Sequence, residues 1–147
     1  MIEEYPPRKE TNPKDALGVA KVPMSCVPGN VLADIGLGMM DGATKYGRHN
    51  YRHTGVRASV YYDAVMRHMI AWWEGENIDK DSGIHHVVKA MTSLVVLRDA
   101  MHQGMLDDDR PPSSEPFYPL ANEIAKNFSE RDQTGITHYT KEDDFDE

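Results

Sequence analysis

Proline placement limits this chain more than any other feature. Pro6, Pro7, Pro13, Pro23 and Pro28 punctuate the start, further prolines follow Leu106, and none lies between. Proline removes a backbone donor and breaks helix interiors, so long helices can form only in the proline-free stretch. The ends are also polar and poor in periodicity, which explains a hydrophobic content of only 39%. At 147 residues the chain suits one domain with its core inside that stretch. The division expected is an extended N-terminal arm over 1–29, a helical core over 30–109 and a C-terminal extension over 110–147.

Apolar residues at Val31, Leu32, Ile35, Met39 and Met40 follow helical spacing, with Asn30 read as N-cap. Gly36, Gly38 and Gly42 weaken that helix, at about 1 kcal/mol each against alanine; they allow close approach of a second helix or of a ligand, helix packing being the simpler reason. RHNYRHTG reads as a basic, aromatic loop. A second helix is predicted from Val56 to Glu74, with Asp63, Arg67 and Glu74 close to one face. A third is predicted from Gly83 to Gln103, with Ser82 or Asp81 as N-cap and Gly104 as stop. Its interior, HHVVKAMTSLVVLRDAM, is apolar enough that self-association should cover part of it. NPKDALG (Asn12–Gly18) reads as a surface turn begun by Asn-Pro. FYPLANEIAKNF predicts a short helix over Leu120–Phe128, and KEDDFDE a disordered tail. The fold class is all-α.

The net charge of −8 argues against nucleic-acid binding through a basic surface. The charge is uneven, however. Ala43 to Ile70 holds five Lys/Arg against one acid, and Glu74 to Asp109 holds eight acids against three bases. That order suits a site holding an anion through a divalent cation; the plain alternative is two solvated faces of opposite sign. A lone Cys26 excludes a disulfide framework and a cysteine zinc site. No apolar run is long enough to span a membrane, and MIEEYPPRKE is neither signal nor transit peptide. A soluble, cytoplasmic protein is expected.

WWEGENIDKDSGIHH (72–86) is the densest chemistry. Glu74, Glu76, Asp79 and Asp81 fall where one helix ends and the next begins, and carboxylates there can converge on a hard cation such as Mg²⁺ or Mn²⁺. Otherwise the turn is simply solvated. Trp72 and Trp73 should give Glu74 a low-dielectric wall, and His85 or His86 can add a nitrogen ligand or a general base. Glu76-Asn77-Ile78-Asp79 spells E-x-x-D. Lys45, Arg48, Arg52 and Arg67 can hold a polyphosphate opposite the metal. No P-loop, H-E-x-x-H, His-Asp dipeptide or G-x-S-x-G occurs, which leaves metal-assisted attack of water on phosphorus.

NPKDALG, GATKYGRHNYR and YYDAVMRHMIAWWEGENIDKDSGIHH, in that order, resemble the bacteriophage dATP/dGTP diphosphohydrolase family, relatives of the MazG-like all-α nucleotide pyrophosphohydrolases. The likeness covers about residues 12 to 100. It implies a helical bundle, a homodimer or homotetramer, Mg²⁺ or Mn²⁺ as cofactor, and hydrolysis of a purine deoxynucleoside triphosphate to monophosphate and pyrophosphate. It further implies supply of dGMP in phages whose DNA carries 2,6-diaminopurine. Carried over by position, Glu74, Glu76, Asp79, Asp81 and His86 are implied metal ligands, with Glu76 and His86 catalytic. Lys14, Lys45, Asn50, Arg52 and Arg67 are implied substrate contacts. The wider superfamily adds an E-x-x-E on the preceding helix, which this chain does not spell. Two other readings are a nucleotide or metal sensor without catalysis, and a phage adaptor binding a basic host protein.

Overall fold

The computed structural model describes residues 12–143. Most of the expected arm's first dozen residues, and Asp144–Glu147 of the acidic tail, lie outside the described residues. The chain divides into two units, Met1–Arg110 and Pro111–Glu147. The first contains α1 (Pro13–Gly18), a 3₁₀ turn (Met24–Cys26), α2 (Gly29–Tyr46), α3 (Asn50–Thr54), β1 (Val56–Arg57), α4 (Ala58–Trp73), α5 (His86–His102) and β2 (Leu106–Asp107). The second contains α6 (Phe117–Ser129) and a 3₁₀ turn, Lys141–Asp143, at the start of the predicted tail. The fold is all-α. Its strands are a two-residue parallel pair, Val56 beside Leu106 and Arg57 beside Asp107. Among the described residues no helix is long and apolar enough to cross a membrane.

Several boundaries correct the sequence reading. NPKDALG is a short helix, because Asn12 closes a capping box: its Oδ1 accepts from Lys14 N at 3.0 Å and its N donates to Asp15 at 3.2 Å. α2 starts one residue before the expected cap, with Pro28 in that position and no side-chain bond. The RHNYRHTG segment contains α3 instead of a loop. Left-handed backbone at Gly47, His49 and Gly55 brackets it, and Tyr51 anchors it, 7% exposed. α4 begins after β1, at Ala58. α6 starts at Phe117, three residues earlier than predicted, with Pro119 in its first turn, where no intrahelical donor is lost.

α4 and α5 form the main packed pair, and α2 lies against α5. Gly38 makes that approach possible, because a Cβ there would overlap the Thr92 hydroxyl. The core is Tyr51, Val56, Val96 and Ala100, with Met39, Tyr61, Leu97 and Leu106 packed on it. A long-range cap closes the unit. Asp109 Oδ1 accepts from Ser59 N at 2.8 Å, and its other oxygen accepts from the Ser59 hydroxyl. This satisfies an orphan donor in the first turn of α4.

Candidate functional site

The acidic turn is built by backbone pairing. Ile78 and His85 form an antiparallel bridge; Asp79 N donates to Ile84 O and His86 N to Asn77 O, each at 2.9 Å. This is why α5 starts at His86 and not at Gly83. Its cap is His85, whose Nδ1 accepts from Val87 N at 3.1 Å, so neither Asp81 nor Ser82 caps it. Asp79 accepts from the Ser82 hydroxyl at 2.6 Å, and that bond first of all holds its carboxyl below the usual carboxylate range. Asp81 pairs with Lys45 at 3.2 Å. Glu74 caps α4 and is exposed. The tryptophans give it no wall, since Trp73 is 78% exposed. Among the described residues, no three His, Cys, Asp or Glu side chains come together to hold a metal ion. Glu76, Asp79 and Asp81 each have a protein partner in this arrangement, His86, Ser82 and Lys45, which a bound ion would displace.

Two of the five expected ligands do meet. His86, 5% exposed, approaches Glu76 Oε1 through Nε2 at 3.2 Å. On its other side, His86 Nδ1 and His68 Nδ1 are 2.9 Å apart. Burial first, then the neighbouring His86, lowers the His68 pKa. A ring nitrogen can either donate or accept across such a contact, and the contact fixes both ring orientations. The Glu76–His86–His68 chain is thus a directed hydrogen-bond array with one carboxylate at its partly exposed end.

Beside it lies a cavity of about 390 Å³ between α2, the 47–50 turn, α3, α5 and Tyr61 of α4. One part of its wall is charged. Asp41 accepts from Lys89 at 2.6 Å and pairs with Lys45 at 3.2 Å. The Lys89 bond is the main reason that the Asp41 carboxyl ionises below its usual range. Hydrogen bonds to Asp41 and then to Asp81 raise the Lys45 pKa. Another part is apolar and aromatic, with Met39, Tyr51, Tyr61 and Val96. His86 and Lys89 stand one helical turn apart on α5, so the hydrogen-bond array and the charged wall are consecutive. Of the implied substrate contacts, Lys45 and Asn50 line the cavity; Lys14, Arg52 and Arg67 do not. Lys14 is exposed on α1 and Arg67 on α4. Arg52 is held in a fork by Asp99, at 2.7 and 2.9 Å, so its charge is already matched.

The model of the family described as dATP/dGTP diphosphohydrolase, N-terminal, matches residues 11–110. The chain belongs to that family. A dATP/dGTP diphosphohydrolase of Salmonella phage PMBT28 is 27% identical over 90 residues, 61% of this chain and 30% of that protein. The chain therefore spans less than a third of that relative's length. No solved structure matches. The matched segment, residues 11–110, contains the hydrogen-bond array and the entire cavity wall.

Sequence reasoning passed over His68, Asp41 and Lys89. His68 had a readable signal: Tyr61, Val65, His68 and Trp72 fall at helical spacings of three and four, so a titratable group interrupts the apolar stripe of α4. Asp41 and Lys89 had none, since their contact joins residues 48 apart.

Proposed function

We propose that the chain hydrolyses a purine deoxynucleoside triphosphate, dATP or dGTP, to the monophosphate and pyrophosphate. One juxtaposition supports the reading: inside the family segment, His86, paired with Glu76, stands one turn of α5 before Lys89, which together with Lys45 charges the cavity wall. Lysine ammonium groups at a cavity wall bind phosphate oxygens through charge-assisted bonds. On this reading the triphosphate draws Lys45 and Lys89 away from Asp41 and turns its α-phosphorus toward Glu76.

Glu76, at the partly exposed end of the array and held by His86, takes a proton from a water molecule as that water attacks phosphorus. The bond from the α-phosphorus to its bridging oxygen breaks, and pyrophosphate leaves with its charge met by the two lysines. Mg²⁺ or Mn²⁺, a MazG-like homodimer or homotetramer, and supply of dGMP for 2,6-diaminopurine DNA belong to the reading through the sequence resemblance. The test incubates the protein with dATP, dGTP, dCTP and dTTP in turn, with Mg²⁺, Mn²⁺ or EDTA. Purine monophosphate and pyrophosphate should form, and EDTA should abolish both. Intact triphosphates throughout would overturn the proposal.

A further inference from the structure

α2 turns two stripes toward the cavity. Gly38, Asp41 and Lys45 face α5, through Thr92 and Lys89. Met39, Gly42 and Tyr46 form the neighbouring stripe, offset by about one residue; Met39 packs on the same core cluster as Tyr61. All six line the cavity wall. Gly42 is the gap in the second stripe, and nothing in the protein itself requires a glycine there. Its φ is not positive, and a Cβ would meet no atom within 4 Å. Gly38, one turn earlier, is the contrast, because Thr92 fills its space.

Three aromatic rings, Tyr46, Tyr51 and Tyr61, line the same cavity. They are near neighbours: after burial, Tyr46 and Tyr51 are what push the Tyr61 phenol up. A floor of bare backbone with aromatic walls accepts a flat heteroaromatic ring, since stacking on tyrosine is available to every base. The lysines occupy the side toward the acidic turn, where Lys45 reaches Asp81. Phosphates and ring therefore have neighbouring stripes of one wall to meet.

We infer that the space over Gly42 receives the base of the nucleotide, and that the missing side chain at 42 makes room for the two fused rings of a purine. The identity of the ligand rests on the proposed hydrolysis, but the slot is testable without turnover. Full-length wild type, Gly42→Ala and Gly42→Val are titrated by NMR with deoxyguanosine and with thymidine, neither of which has a phosphate to lose. Circular dichroism monitors folding, and both variants should melt at or above the wild-type temperature because a helical glycine is removed.

Gly42→Val should weaken deoxyguanosine binding by at least about tenfold and thymidine binding by less than about threefold, with Gly42→Ala between it and wild type. Equal losses for the two nucleosides, or unchanged deoxyguanosine binding in a folded variant, would overturn the inference. Hydrolysis of dGTP by wild type with no Gly42 effect would leave the proposed function standing without the slot. Base binding that depends on Gly42, with no hydrolysis, would do the reverse.

Discussion

The two ends of α5 are buried among different kinds of neighbour. At its C-terminal end Ala100 is 0% exposed and packs in one cluster with Val96, Tyr51 and Val56. At its N-terminal end His86 is buried along with Val88 and Ala90, but it sits between a carboxylate and a second imidazole. Apolar burial stabilises at roughly 25 cal/mol per Å². A buried imidazole gains nothing comparable and must be hydrogen-bonded merely to break even. One helix therefore supplies stability at one end and gives some of it up at the other, and the end that gives it up borders the charged cavity wall.

The largest expected effect lies at the apolar end. Tyr51→Ala should lower unfolding free energy by about 3–5 kcal/mol, as large-to-small core changes do. Chemical denaturation measures this, and a loss under about 1 kcal/mol would mean that the core is elsewhere. At the polar end the effect should be on catalysis. Glu76→Gln should lower turnover at least about a hundredfold, with a thermal midpoint near wild type; wild-type turnover would remove Glu76 from the mechanism. Lys89→Met should raise KM for the triphosphate about tenfold and change kcat less, the size of a lost charge-assisted hydrogen bond. A change in kcat alone would move Lys89 from binding to chemistry.

The smallest effect should appear with pH. The folded-state pKa of His68 is lowered, so below its unfolded value, about 6.5, the unfolded chain binds the proton more readily. The stability linked to this group is therefore fully present above about pH 6.5 and is lost as pH falls through the folded pKa. His68→Gln should flatten that limb of a stability–pH curve. Asp41, also lowered, should add a further loss below about pH 4 that Asp41→Asn removes. Limbs unchanged by either substitution would detach these groups from the stability difference between the two ends.

The long helices were legible because no proline interrupts them and their apolar residues keep a 3.6 period. α3 was not, since five residues between left-handed turns carry too little periodicity and depend on Tyr51 reaching a distant core. Part of the membership of the array and the cavity wall was legible by composition. Glu76, His86, Lys45 and Asn50 stand out in the sequence, and they belong to the array or line the cavity. Composition cannot tell which hydrogen bonds each acid accepts, so Asp79 and Asp81 read as ligands although Ser82 and Lys45 engage them. Arg52 likewise read as free charge because Asp99 lies 47 residues away.

The cap on α4 sets an order of events during synthesis. Ser59 lies at the start of α4 and Asp109 lies 50 residues later. While the chain emerges from a ribosome, the first turn of α4 therefore waits, solvated, until nearly the whole unit has been made. Asp109 then arrives together with β2, whose partner β1 directly precedes that turn. The last residues of the unit act as a latch on its middle, so a nascent chain stopped short of Asp109 would carry every helix of the unit and still leave α4 open at its first turn.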